Sequence, residues 1–302
     1  MKLFAPLLLF TSVIVCSSPH LFGQADRGPS VLIVTAHPDD DATFAGTVYK
    51  ITHELDGRVD LALITDGAGG YRFSTLGEPI YGLKLTDPEV AAEHLPAIRK
   101  QELMRGGKIV GMSNYHFLDQ PDRGRSDDPE EFFGGVWDTA FVKNRLEDIM
   151  RKGDYDFVFA HLPVSIMHAH HKVATMLALE VATGLEDSVR PVVLGGWGIA
   201  HSDTSSFHFE QLEGYDITRV DPVPREFDRN QPIGLNGRLN YNIVANWLVA
   251  EHKSQGTMQL FMGRDGREIY FYFLANEGHG RAKYDALFDK LSIPRPAPSA
   301  FN

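Results

Sequence analysis

The sequence predicts an α/β fold, a Rossmann-like three-layer sandwich built on a mostly parallel, doubly wound sheet. Three observations carry that expectation. Apolar runs rich in β-branched residues recur along the chain, as strands buried on both faces require. Stretches with helical apolar spacing alternate with them. An imidazole–carboxylate cluster follows one of these runs directly and an imidazole cluster follows another after a short loop, where open α/β sheets hold their ligands.

The first run is Val31 to Ala36, followed by His37-Pro38-Asp39-Asp40-Asp41 and a helical pattern over Ala42 to Leu55. Val59 to Thr65 is a second strand, ending in Asp66-Gly67-Ala68-Gly69-Gly70, and Tyr71 to Leu85 reads as an irregular loop. Thr86-Asp87-Pro88-Glu89 has the spacing of a capping box for a helix that Pro96 restarts and that runs to about Val110-Gly111. His116 to Leu118 is a short strand, and Trp137 to Arg151 a helix closed by Gly153. Phe157 to His161 is a strand, Lys172 to Ala182 a helix, and Pro191 to Leu194 a strand. Residues 201–240 read as a polar excursion and Asn240 to His252 as a helix. Leu260 to Met262 and Ile269 to Ala275 flank Asp265-Gly266 as in a hairpin.

Composition narrows the function classes. The 302 residues are 43% hydrophobic and 23% charged, which excludes a disordered tail, a collagen-like fibre or a coiled coil. Lys and Arg number 29 against 40 Asp and Glu, a formal charge of −11 that argues against nucleic acid or an anionic membrane as partner. One cysteine permits neither a disulfide framework nor a cysteine-built zinc site. Residues 1–25 have the order of a signal peptide: Met1-Lys2, an apolar run from Leu3 to Val15, then Gly23-Gln24-Ala25. Cys16 ends that run, so a lipoprotein anchor is a rival reading, with bulky Val15 against it. The expectation is an exported protein whose residues 26–302 form one domain, with no integral membrane segment in the mature chain.

Two clusters carry the chemistry. His37-Pro38-Asp39-Asp40-Asp41 lies at the carboxyl end of the first strand, and His168-Ala169-His170-His171 lies after Phe157–His161. Two of the first three aspartates could be simple helix caps. The second cluster shifts the balance, because both can converge on one point. Neutral imidazoles with a carboxylate make a nitrogen/oxygen site that suits Zn²⁺ and leaves a position for water.

Ala36-His37-Pro38-Asp39-Asp40 with the later His168-x-x-His171 resembles the PIG-L/LmbE-like zinc-dependent N-acetylglucosaminyl deacetylases. Thr65-Asp66-Gly67, Arg99-x-x-Glu102 with Gly111, and His252-Lys253-Ser254-Gln255 are similar to further motifs of that family. The resemblance implies Zn²⁺ on His37, Asp40 and His171, with Asp39 as general base toward a water at the metal and His168 as proton donor to the leaving amine. The substrate so implied is an N-acetylglucosamine-type saccharide or conjugate; alternatives are an amidase acting on another acylated amine, or a non-catalytic carbohydrate-binding relative. Iron(II) would accept the same ligands. Arg99 and Asp66 are candidate substrate-binding residues, although an intrahelical Arg99–Glu102 pair and a turn-forming Asp66 are the bland readings. Asp41 stands where the family has Glu and should bond nearby backbone donors. His170 stands where it has Asp, supports its neighbours without a negative charge, and competes with His171, which motif position favours as ligand. Ile166 and Ala245 occupy positions of a family tyrosine and lysine.

Weaker pocket candidates are Asp122, His161 and His252. His201, His208 and His279 are expected to be exposed, Gly67–Gly70 a turn, and Trp137, Trp197 and Trp247 core residues rather than sugar platforms.

Overall fold

A computed structural model describes residues 27–123, 126–200, 202–203 and 207–294. The expected signal segment 1–25, Cys16 and His201 lie outside the described residues. Strands β1 (Ser30–Thr35), β2 (Arg58–Thr65), β3 (Tyr115–Gln120), β4 (Phe157–His161) and β5 (Val192–Ala200) are the parallel part of a seven-stranded sheet. Beyond β6 (Arg225–Asp228), a two-stranded ribbon pairs β7 (Pro232–Gly234) with β8 (Leu239–Asn240). The last strand, β9 (Asp265–Tyr272), runs antiparallel between β5 and β6, giving the sheet order β3-β2-β1-β4-β5-β9-β6. From β1 the chain winds outward to β2 and β3, then returns to build β4 and β5 on β1's other side. That reversal opens a crevice at the carboxyl ends of β1 and β4.

Alternation along β1 sets the layers. Val31 and Ile33 join the core formed with α1 (Ala45–Glu54), while Leu32 and Val34 face the opposite one. After the short α2 (Glu78–Tyr81) comes the long α3 (Pro88–Ile109), which adds Leu103 to the core on the α1 side. The opposite face is covered by α4 (Thr139–Gly153) and α5 (Ala169–Thr183). Helices α6 (Tyr241–Glu251) and α7 (Arg281–Ser292) complete the α1 side, so the three-layer expectation holds. Among the described residues no helix is long and apolar enough to cross a membrane.

Several local expectations are corrected. Pro96 does not restart α3, which is continuous; buried Leu95, Arg99, Glu102 and Leu103 anchor the flanking turns and offset the ~3 kcal/mol cost of an interior proline. Asp87 rather than Thr86 caps that helix, its carboxylate accepting from the Glu89 and Val90 N–H groups at 2.9 and 3.2 Å. The segment after β1 is 3₁₀ over Pro38–Phe44 before α1 begins. No hairpin forms about Asp265-Gly266: Gly256–Phe261 is a 3₁₀ turn, and β9 finds its partners in β5 and β6. β5 continues through its glycines because Phe44 needs the space, since a Cβ on Gly196 would meet the Phe44 ring at 2.3 Å. The sequence reading missed α7, although Tyr284, Leu287, Phe288 and Leu291 carry its buried stripe at helical spacing.

One buried carboxylate fixes the helix that follows the first cluster. Glu268 on β9 accepts from the Gly46 and Thr47 N–H groups of α1 at 2.7 and 3.0 Å, from Arg229 Nε at 2.6 Å and from the Tyr270 hydroxyl at 3.0 Å. Replacing Glu268 by Ala strands the Arg229 charge and two amide donors, so denaturant unfolding should report a loss of about 3–5 kcal/mol. Breaking the exposed Lys152–Asp148 pair with Asp148→Ala should cost under about 1 kcal/mol; equal losses in the two variants would contradict this reading.

Candidate active site

β1 delivers His37 to the crevice, and the turn behind it is closed by Asp40. Asp40 Oδ2 accepts from the Ala36 and His37 amides at 3.1 and 2.8 Å. The same oxygen lies 3.3 Å from His171 Nδ1 and 3.7 Å from His37 Nδ1. β4 supplies the other half of the site: His168 is the N-cap of α5, and His170 and His171 occupy its first turn. Helix α5 begins earlier than the expected Lys172, which is what turns these imidazoles back toward β1. The His37 ring centroid is 4.8 Å from those of His168 and His171, which are 4.4 Å apart. The two distant clusters therefore meet.

Their donor atoms form three overlapping triads within 4.8 Å: His37/His168/His171, His37/Asp122/His170 and Asp40/His161/His171. Among the described residues, the buried Nδ1 of His168 has no hydrogen-bond partner, and that of His171 faces Asp40 Oδ2 at 3.3 Å. Buried nitrogen acceptors beside an anionic carboxylate fit a divalent cation of the zinc type. None of these triads holds all three expected ligands: His37 and His171 share the first, and Asp40 joins His171 in the third.

Asp39 points into the cavity, and its Oδ1 accepts from Arg99 at 2.6 Å. Arg99 also donates to the Gly67 carbonyl at 2.7 Å and approaches Asp122 at 3.6 Å. The intrahelical Arg99–Glu102 pair does not form. Glu102 instead accepts from Ser254 N and Oγ at 2.7 and 2.6 Å and from Tyr81. Asp66 holds its own loop, accepting from the amides of Ala68 at 2.8 Å and Asp122 at 3.3 Å, and it does not line the cavity.

Asp41 departs from expectation. Its Oδ1 meets His252 Nε2 at 2.9 Å, both groups fully buried, instead of backbone donors. The C-terminal motif is thereby explained: His252 braces Asp41, Ser254 binds Glu102, and Gln255 reaches the cavity wall. His170 stands behind His37, with Nδ1 2.9 Å from His37 Nε2 and Nε2 3.2 Å from the Arg123 carbonyl. Its ring stacks on Trp137, which is core as expected, whereas Trp247 is 57% exposed. His161 bonds Thr43 at 2.9 Å, His208 is exposed, and His279 is partly buried against the Arg190 carbonyl.

Asp122 was underrated by the sequence reading. It follows β3 and lies 3.5 Å from His37 Nε2 and 3.4 Å from His170 Nδ1, while accepting from the Gly69 amide at 3.1 Å. A Cβ on Gly69 would meet Asp122 at 2.5 Å, so this glycine is required by the close approach. The rule that located the two clusters, a polar group just past a strand's carboxyl end, also marks Asp122.

The charges follow from this packing. Burial pulls the imidazoles down, holding His168 near about 2 and His161 and His170 near about 4. His37 is the exception: burial lowers it, but Asp122 and Asp40 overcome that and lift it to about 10. Burial alone would raise Asp40 and Asp122, yet both are held well below the usual carboxylate range, Asp40 by His171 and His161 and Asp122 by His37 and Arg99. Beside the cluster is a cavity of about 250 Å³, walled by Arg72, Phe73, Gln255 and Thr257.

A doubly wound sheet with a buried imidazole–carboxylate cluster at its switch point defines a Rossmann-like protein whose crevice holds groups that could bind a metal ion. This chain belongs to the PIG-L family: the family profile, described as GlcNAc-PI de-N-acetylase, matches residues 32–182, half of the chain. It is 24% identical over 163 residues to a probable N-acetyl-alpha-D-glucosaminyl L-malate deacetylase 2 of Bacillus cereus, covering 54% of this chain and 65% of that protein, just under two thirds of its length. A deacetylase of the teicoplanin biosynthesis pathway, solved as its bog complex, shares the fold with a TM-score of 0.55 at 14% identity over 80% of this chain and 97% of that one. An N,N'-diacetylchitobiose deacetylase from Pyrococcus horikoshii, complexed with its inhibitor MPG, matches at 26% identity with a TM-score of 0.38 over 51% of this chain and 49% of that one, about half its length.

Since Asp122 orients His37 from behind, Asp122→Asn should weaken zinc binding by ~10–100-fold in competition with a chromophoric chelator. Unchanged affinity would remove Asp122 from the site.

Proposed function

We propose that this protein is a metal-dependent N-deacetylase acting on an N-acetylglucosamine-type saccharide or conjugate. One observation carries the reading: Asp39 and His168, from the two sequence clusters, line the same cavity as Asp40 and His171. His37, Asp40 and His171 would hold Zn²⁺. When bound, that ion supplies Lewis acidity, polarising the amide carbonyl and acidifying a water.

The chain's own groups do the rest. Asp39 accepts the water proton at its carboxylate, and the Arg99 contact fixes which way that carboxylate faces. His168 lines the same cavity and passes to the departing nitrogen a proton that it takes up as the amide is attacked. Asp122 and His170 keep the His37 ring in one orientation. Arg72, Gln255 and Thr257 offer hydrogen bonds to sugar hydroxyls, and water leaves the pocket as those bonds form. The family membership and the deacetylase relatives support this reading, and the net charge of −11 favours a neutral small molecule or oligosaccharide over nucleic acid. Residues 1–25 act in this proposal as an export signal, which directs the activity to glycans outside the cytoplasm.

Acetate release from N-acetylglucosaminides should stop on chelation and return with zinc. Asp39→Ala should keep one equivalent of zinc while kcat falls ~10²–10⁴-fold. Full activity of that variant would refute the base assignment; zinc-independent activity would refute the metal.

A further inference from the structure

A second cavity, of about 280 Å³, lies against the cluster and shares Asp39, Asp40, His171 and Met258 with the first. The two therefore meet at the expected ligand wall, and their linings differ in kind. Polar groups around the second chamber are spent on one another or on the backbone. His161 bonds Thr43, Arg264 pairs with Asp265 at 2.8 Å, and Arg229 binds Glu268 and the carbonyls of Ala42 and Thr43. What remains to meet a ligand is apolar: Met167, Trp197, Val249, Met258 and Phe261. Trp197 is steadied by stacking on Phe207 at 5.9 Å, and Arg264 lies over the Phe261 ring at 4.0 Å. Two methionines make the lining adaptable in shape.

The amide's orientation follows from His168, which lines the polar chamber and not the apolar one. The nitrogen that receives its proton, with the attached sugar, belongs on the polar side. The acyl carbon's substituent then points into the apolar chamber. An acetyl group presents one methyl there, whereas the chamber has room for several times the ~30 Å³ of a single small group.

We propose that the apolar chamber binds the hydrocarbon chain of a longer N-acyl group, making the protein an N-deacylase for medium-chain N-acyl glucosamine-type amides. The proposal rests on the hydrolytic reading above. The reaction adds one water across the C–N bond: the hydroxyl goes to the acyl carbon, giving a carboxylate, and the protons end on the amine and in solution. Each methylene removed from water is worth about fourfold in affinity, so a chain with a few methylenes buried clearly outranks acetyl.

The test compares N-acetyl-, N-butanoyl- and N-octanoylglucosamine on the zinc-loaded protein, with amine release as one readout and calorimetric binding to zinc-loaded Asp39→Asn as the other. The expected result is kcat/KM at least about tenfold higher for octanoyl than for acetyl, with the same order in binding. Phe261→Asp, on the turn that walls the chamber, should bring the octanoyl-to-acetyl ratio of kcat/KM down to about one. Trp197→Ala should raise KM for the octanoyl amide more than it lowers kcat. Acetyl preferred or equal in both readouts overturns the chamber assignment while leaving deacetylation intact. Release of no amine from any of the three, with octanoyl still bound at least tenfold more tightly, supports the chamber and sinks the hydrolytic reading.

Discussion

Anionic and neutral groups are buried together at the open ends of β1 and β4, and the molecule is organised around keeping them compensated. Removing Asp40 and Asp122 from water costs several kcal/mol each unless donors surround them. The Ala36 and His37 amides, the Gly69 amide, Arg99 and the imidazoles provide those donors. Elements far from the crevice are tied into this arrangement. Helix α3 contributes Arg99, the end of α6 contributes His252 to Asp41, and β9 contributes Glu268 to the start of α1. Sheet closure, helix placement and site geometry are one problem with a shared electrostatic solution.

The departures from the family pattern become intelligible in these terms. A histidine at position 170 brings no negative charge, but Asp122 reaches the same ground from the loop after β3, close to both His37 and His170. Asp41, one methylene shorter than glutamate, meets a buried imidazole from the end of α6 through its Oδ1. These couplings bind the C-terminal motif to the first one across the whole chain.

Much of this was legible in the sequence, for physical reasons that also mark its limits. Strands buried on both faces announce themselves as continuous β-branched runs, so the cores of β1, β2 and β4 were read closely. The convergence of His37 with His168 and His171 followed from the rule about strand ends. Partners that depend on tertiary geometry were not legible. Arg99 and Glu102 have the spacing of an ion pair, yet each finds a better partner on another element. Pro96 signals a break that buried neighbours overrule. The pairing of β9 depends on the free edge of β5, which local turn signals at Asp265-Gly266 cannot report. Helix α7 was readable from its apolar stripe and was missed.

The account turns on one cation being gripped jointly by the two clusters. Anomalous diffraction at the zinc edge from crystals of the zinc-loaded protein tests this most directly. The predicted result is a single peak about 2.0–2.2 Å from a nitrogen of His37, a nitrogen of His171 and an oxygen of Asp40. A peak ligated by His170 and Asp122 without His171, or no peak in the crevice, would contradict it.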